Sequence, residues 1–203
     1  MLQKYATEHE AVIFNGDNYS AAWAKEAAKR GLPNVRNCVD SINDMLAPEN
    51  VEVLIKHGTL PRGEIDARHE ILLENYVKVI NIEAKTMLNM ARRQILPAIM
   101  SFGAEVADGI NSIKAAGAKP EAQVRLLKQV NAGIAGTSSA IEALEAATAK
   151  AAAAGHADKK AAAYRDLVVP AMADLRKVVD GLEVIVSSCY WPLPSYGELL
   201  FSR

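Results

Sequence analysis

The sequence lacks the features by which several large classes of protein are recognised. Its 203 residues include 23 Lys and Arg against 24 Asp and Glu, which gives a formal net charge of −1. Without a basic excess to neutralise phosphates, we expect no nucleic-acid partner. There is no long uninterrupted apolar run, so no segment is predicted to span a membrane. The first ten residues, MLQKYATEHE, have no apolar core of the kind that signal peptides carry.

Cysteine and aromatic residues are also scarce. Cys38 and Cys189 are far apart in the chain and match no metal or redox spacing, so we expect reduced thiols in a cytoplasmic protein. Aromatic side chains make up 5% of the sequence. Several of them nevertheless crowd into its end, SSCYWPLPSYGELLFSR. A solvated tail would be poor in aromatics and rich in charge, so this end is predicted to pack against a surface.

Motifs that carry chemistry are missing as well. There is no phosphate-binding loop, nucleophile elbow or dinucleotide fingerprint, and no Glu-x-x-His pair such as a carboxylate-bridged di-metal bundle needs. The stretch DARH places Asp66 and His69 three residues apart on a helix, but isolated neighbours of this kind are usually surface groups. We therefore predict no catalytic, cofactor-binding or metal-binding residue in this chain.

One carboxylate stands out. Glu83 falls on or next to an apolar helical stripe, after Tyr76 and Val79 and before Met87. It could be a functional buried carboxylate. The favoured interpretation is a carboxylate at the edge of the stripe, paired with an Arg or Lys of a neighbouring element, because unpaired burial of a charge is costly.

The first 58 residues are interpreted as a segment of short helices and a possible strand. The stretch EAVIFNG has the β-branched and aromatic character of a brief strand. Ser20 is a predicted N-cap for a helix that ends at Gly31. Pro48 is predicted to open a later helix that ends at Gly58.

Residues 59–190 are predicted to form an antiparallel bundle of three long helices, so the fold class is mainly α. The first helix runs from about 64 to 116, the second from Pro120 to about 154, and the third from an Asp158 cap to Tyr190. Prolines inside the first and third, Pro97 and Pro170, are expected to kink them. The side chains predicted to be buried are Leu72, Tyr76, Leu127, Ile134, Leu175 and Leu182.

Small residues are frequent in the second helix. Gly133 and Gly136, with the many alanines, would let helix axes approach closely. The simpler interpretation is that these are core positions of low volume.

The last thirteen positions, 191–203, form a predicted apolar arm with two prolines. The third helix is expected to stop at Pro192, because proline lacks an amide donor and restricts the residue before it. Beyond it, SYGELLF is predicted to run as an extended arm or a single helical turn. The candidate interface residues of this end are Tyr190, Trp191, Tyr196, Leu199, Leu200 and Phe201.

Three stretches resemble type III glutamine synthetases. The start of that family's C-terminal helical region is similar to RHEILLENYVKVINIEAKTMLNMARRQILPAIMSF, and its final residues are similar to YWPLPSYGELLF. The segment that links its catalytic domain to those helices is similar to VIFNGDNYSAAWAKEAAKRGLPN. The resemblance runs along the whole chain and is weakest in the alanine-rich middle.

The resemblance implies a non-catalytic part of a larger enzyme. The family ligates ammonia to glutamate with ATP through γ-glutamyl phosphate, using Mg or Mn ions held by Glu and His on a curved sheet, and forms ring-shaped homo-oligomers. None of its catalytic motifs matches a residue of this chain, so none is carried over. The implied partners are the missing catalytic domain and further copies of the protein. This chain alone is expected to be inactive.

The sequence allows two other interpretations. The chain could be a free-standing helical interaction module whose tail is a docking peptide, or an enzyme complete in these residues, for which no convergent titratable groups were found. The arm itself could dock on the catalytic domain or a neighbouring subunit. In this chain alone it could dock on the segment before residue 58 or on a second copy, or it could merely cover the end of its own bundle.

Overall fold

The computed structural model describes residues 2–201, and these residues form helices, turns and loops with no β-strand among them. The mainly α fold predicted from the sequence is therefore confirmed. The α-helices in chain order are α1 Leu2–Glu8, α2 Ala21–Lys29, α3 Cys38–Asp44, α4 Pro48–Lys56, α5 Arg62–Met90, α6 Leu96–Ala115, α7 Glu121–Ala152, α8 Ala157–Ala163, α9 Val169–Glu183 and α10 Tyr196–Leu200. Contacts within the chain divide it into two units, one up to His69 and one from Glu70 onwards.

The first unit is built from short helices around a small core. Its buried apolar side chains include Val39, Val51 and Ile65. The predicted helix signals are confirmed at α2, where the Ser20 hydroxyl accepts from the Trp23 amide, and Gly31 follows with a φ of +74°. Glycine adopts this left-handed conformation without the steric cost that a Cβ imposes.

The strand expected at EAVIFNG is not formed. Glu10–Val12 make one turn of 3₁₀-helix, and Ile13 after it is extended. A single strand needs a neighbour to accept its backbone hydrogen bonds, and no other strand occurs among residues 2–201. The carbonyl of Ile13 instead accepts from the guanidinium of Arg30 at 2.7 Å, and the ring of Phe14 stacks on Trp23 at 4.5 Å.

The second unit contains the predicted bundle, with α7 packed against both α6 and α9. Its core is aliphatic and joins Ile99 of α6, Leu144 of α7 and Leu175 of α9, each at most 1% exposed. Arg92 and Glu145 form an ion pair across the bundle, and the Tyr164 hydroxyl lies 3.2 Å from the Asn81 side-chain oxygen. Helices so far apart in sequence are thereby held in one register.

Each internal proline follows a π-helical turn. Ala91–Ile95 precede α6, whose first turn contains Pro97, and Tyr164–Val168 precede α9, whose first turn contains Pro170. Proline cannot donate to the carbonyl four residues earlier and clashes with it. A wider turn at that carbonyl accommodates both effects, and the chain remains helical through each proline.

Three helix details differ from the sequence-based expectation. The third long helix begins with Ala157 after His156 as N-cap, so Asp158 lies in its first turn instead of capping it. The same helix ends at Glu183 and not near Pro192. The next three residues are Val, Ile and Val, whose branched side chains lose rotamer freedom in a helix, and a separate turn at Ser187 leads on to Trp191.

The third difference concerns the buried face of α5. Leu72 is 41% exposed, whereas its neighbour Leu73 is 1% exposed and belongs to the core. The other predicted positions are better placed: Leu175 and Leu182 are buried, and Tyr76, Leu127 and Ile134 are half-buried. The expected stripe was thus offset by one residue at its start.

Candidate functional site

The residues after α9 pack onto the bundle before they leave it. The ring of Tyr190 lies 5.9 Å from that of Phe102 in α6, and Trp191 and Leu193 rest half-buried against the core. Partial burial raises the pKa of Tyr190, and the Glu105 carboxylate that accepts from its hydroxyl raises it further. The indole N–H of Trp191 is buried without a hydrogen-bond partner among the described residues.

Beyond Pro194 the chain forms one capped helical turn, α10. The Ser195 hydroxyl accepts from the Glu198 amide at 3.3 Å, and the Ser195 amide donates to the Glu198 carboxylate at 2.7 Å. This reciprocal arrangement is a capping box, which satisfies two donors at the start of a helix. Hydrogen bonds from the Ser195 amide and hydroxyl hold the pKa of Glu198 below its usual range.

The candidate interface residues therefore divide into two groups. Tyr190 and Trp191 pack on the bundle, whereas the large apolar side chains of the capped turn and of the residue after it are exposed. The exposed fractions are 86% for Tyr196, 60% for Leu199, 75% for Leu200 and 81% for Phe201. The last two residues of the predicted arm, 202 and 203, lie outside the described residues.

A groove of about 860 Å³ runs beside this arm. One wall is α5 with the π-helical turn after it, from Ile82 to Ile95, and the other is α9 from Met172 to Glu183. The end of the groove is closed by the chain from Trp191 to Leu199. Its volume lies within the range of ligand-binding clefts.

The groove is apolar inside and charged at its edge. The three methionines Met87, Met90 and Met172 line its sides. Carboxylates lie along the rim at Glu83 and Glu183, both exposed, and the remaining acid, Asp180, pairs with Arg176 at 3.0 Å. Because Glu83 is exposed, its interpretation as a buried carboxylate is wrong, and its pairing with a cation stays a prediction.

Among residues 2–201 no three or more His, Cys, Asp or Glu side chains come together in a group that could hold a metal ion. Asp66 is exposed, as expected, and pairs with Arg62 at 3.0 Å. The expectation that His69 is also a surface group is wrong. His69 is buried, and its ring nitrogen lies 2.9 Å from the Asn43 side-chain oxygen.

Two further observations concern the cysteines and the hydrophobicity of the helices. Cys38 and Cys189 are both free thiols and both exposed. Within the part of the chain that the structure describes, no helix is long and apolar enough to cross a membrane.

Sequence reasoning missed the groove. The signal that could have indicated it is a set of methionines, Met87, Met90 and Met172, on two different helices. Methionine is flexible and is over-represented at adaptable binding surfaces. Methionines at helical spacing are also ordinary core residues, however, and only the separation of the two helices distinguishes the two cases.

Comparison with known proteins shows which family the chain is similar to. The family model of the glutamine synthetase C-terminal domain matches residues 1–114. A glutamine synthetase of Butyrivibrio fibrisolvens is 33% identical over 204 residues, which cover 100% of this chain and 29% of that protein. A type-3 glutamine synthetase of Dictyostelium discoideum is 30% identical, over 97% of this chain and 28% of its own length. A glutamine synthetase of Bacteroides fragilis is 27% identical over 100% of this chain and 29% of that protein. The chain thus spans less than a third of the length of these relatives.

Proposed function

We propose, because this chain belongs to the glutamine synthetase C-terminal domain family, that it is the helical, non-catalytic part of a glutamine synthetase and supports the assembly of that enzyme. In this proposal the rest of the enzyme binds ATP and Mg or Mn and ligates ammonia to glutamate through γ-glutamyl phosphate. The bundle contributes a surface on which the catalytic domain or a further copy of the protein docks. A cytoplasmic location is part of the same proposal.

The exposed apolar residues of α10 and Phe201 carry this proposal. The capped turn leaves the large apolar side chains of Tyr196, Leu199 and Leu200 exposed to water, and such a cluster is typical of a surface that a partner covers. Burying a large apolar side chain stabilises a complex by about 1.5–3 kcal/mol. Because the capping box already orders the turn, less conformational entropy is lost when a partner covers it.

The choice between an enzyme part and a free-standing interaction module rests on the family match. Both would use the same exposed residues. The relatives named glutamine synthetase align with all or nearly all of this chain, which favours the enzyme part.

Loss of the arm should weaken self-association. We expect the chain without residues 195–203, which keeps Trp191 and Leu193 on the core, to sediment as a smaller species than the full chain over a concentration series. Helix content measured by circular dichroism should change little. As a matched control, serines at the exposed Val53 and Ile55 of α4 should leave sedimentation unchanged. If the full and shortened chains are both monomers at every concentration, this part of the proposal is wrong.

The chain by itself should make no glutamine. Incubation with glutamate, ammonia, ATP and magnesium is expected to release phosphate at the rate of a protein-free blank, because no group of three or more His, Cys, Asp or Glu among the described residues could hold a metal ion and phosphoryl transfer depends on one. Metal-dependent turnover well above the blank would contradict the non-catalytic assignment without affecting the sedimentation result.

A further inference from the structure

We propose that the groove between α5 and α9 binds a basic amphipathic α-helix of another protein. The groove shares Tyr196 and Leu199 with the arm, but the inference does not depend on the proposed role in a glutamine synthetase.

The shape of the groove suits a helix. α7 packs against both α6 and α9, whereas α5 and α9 face each other across open space. The α5 wall from Ile82 to Ile95 is about 20 Å long, and the α9 wall from Met172 to Glu183 is about 16 Å long, at 1.5 Å per residue. A helix of about three turns has the same length, and its insertion would make a fourth member of the bundle.

The lining suits the apolar face of such a helix. Val179, Leu175 and Ile95 form a rigid buried floor, and the flexible side chains of Met87, Met90 and Met172 form the sides. Methionine is unbranched and polarizable, so it adapts to side chains of different shape. Grooves of this kind bind amphipathic helices through apolar residues at positions i, i+3, i+4 and i+7.

The charge at the rim selects the polar flanks of the ligand. Glu83 stands on the α5 side, and Asp180 and Glu183 stand on the α9 side, against Arg176 as the cation among the lining residues. Arg176 is already engaged with Asp180 at 3.0 Å. The rim therefore carries an excess of negative charge on both sides, which complements Lys or Arg residues flanking an apolar stripe.

The same charge argues against the arm of a second copy as the occupant. α10 of that copy would bring its own Glu198 to an acidic rim, and its described residues carry no cation in return. Like charges placed across an interface are repulsive and disfavour that partner.

The test uses Trp191 at the end of the groove as a reporter. The chain has two tryptophans, so a Trp23→Phe variant leaves Trp191 as the only fluorophore of this type. Two synthetic peptides of about three helical turns share one leucine stripe and differ only in their flanks, which are Lys in one and Glu in the other. We expect the Lys peptide to shift the Trp191 emission and to bind at least about tenfold more tightly than the Glu peptide.

Charge reversal at the rim makes the test specific. Glu83→Lys with Glu183→Lys should invert the preference, so that the Glu peptide binds more tightly. Glu70→Lys with Glu142→Lys changes the net charge equally at exposed positions outside the groove and should leave the preference unchanged. Met90→Glu should weaken both peptides by more than about tenfold, with circular dichroism confirming that the variant is folded.

Three results would overturn the proposal: no binding of either peptide, equal binding of both by the parent chain, or a preference that the rim reversal does not change. A fourth would be dissociation of a pre-existing dimer by the Lys peptide, seen by sedimentation, because the groove would then be the seat of a second copy.

Discussion

The two sides of α9 are built differently. Towards α7 the helices touch so closely that a Cβ on Gly133 would collide with Leu182, and one on Gly136 would lie 3.3 Å from Val178. Towards α5 a groove of about 860 Å³ separates the helices, with methionines and charged residues at its sides and rim and Leu175 and Val179 on its floor. Glycine opposite a branched side chain closes one interface, whereas long flexible side chains leave the other open. One helix thus serves both the stability of the bundle and a potential binding surface.

The largest expected difference between the two sides lies in the cost of truncation. Leu182→Ala removes a side chain that is 4% exposed and lies against Gly133 of α7, and it should lower the free energy of unfolding by about 2–5 kcal/mol. Met172→Ala, at a half-buried position on the wall of the groove, should cost about 1 kcal/mol because less apolar surface is lost from the folded state. Urea unfolding of both variants measures the two costs, and equal losses would show that the groove wall is packed as tightly as the core.

Alanine substitutions at two glycines should change the free energy of unfolding by smaller amounts and in opposite directions. One glycine lies at the interface with α7 and the other on the outer side of α9. Gly133→Ala gains about 1 kcal/mol of helix propensity but introduces a Cβ into Leu182, and overpacking of this kind costs about 1–3 kcal/mol. We expect a net loss of about 1 kcal/mol. Gly181→Ala meets no atom within 4 Å and should stabilise by about 0.5–1 kcal/mol.

Thermal unfolding provides the measurement for this pair. The melting temperature should fall for Gly133→Ala and rise for Gly181→Ala. A rise in both variants would mean that Leu182 moves aside easily and that the close approach of α7 and α9 does not depend on glycine.

Much of the bundle could be predicted because the signals that indicate a helix are local in the sequence. The apolar periodicity acts over one or two turns. So do the capping serine at position 20 and the glycine at position 31, which delimit the short helix α2 of the first unit and also appear in the structure. Adjacent leucines at 72 and 73 fit the periodicity equally well, and only packing against other helices decides that Leu73 is buried.

The candidate site was harder to predict for the same reason. The sequence indicates that the last residues pack against a surface. It does not indicate that Trp191 packs on the bundle while Leu200 and Phe201 stay exposed. The groove depends on the distance between two helices that are separated by more than seventy residues. No local pattern encodes that distance, because it results from how α7 packs against its neighbours.

The smallest expected effect is a pH dependence of the arm at the end of the groove. Hydrogen bonds from the Ser195 amide and hydroxyl lower the pKa of Glu198 in the folded turn, so the folded turn binds a proton more weakly than the unfolded one. The contribution of this carboxylate to the order of α10 is therefore fully present above the usual pKa of glutamate. It is lost as the pH falls through the lowered value of the folded state. Backbone chemical shifts of Glu198–Leu200, followed by NMR from neutral to acid pH, should report loss of helical character in that window.

Glu198→Gln retains an acceptor for the capping box and should remove the pH step while keeping part of the turn, whereas Ser195→Ala should weaken the turn at every pH. A step of unchanged size in Glu198→Gln would assign the pH dependence to another group and leave the capping box without a role in it.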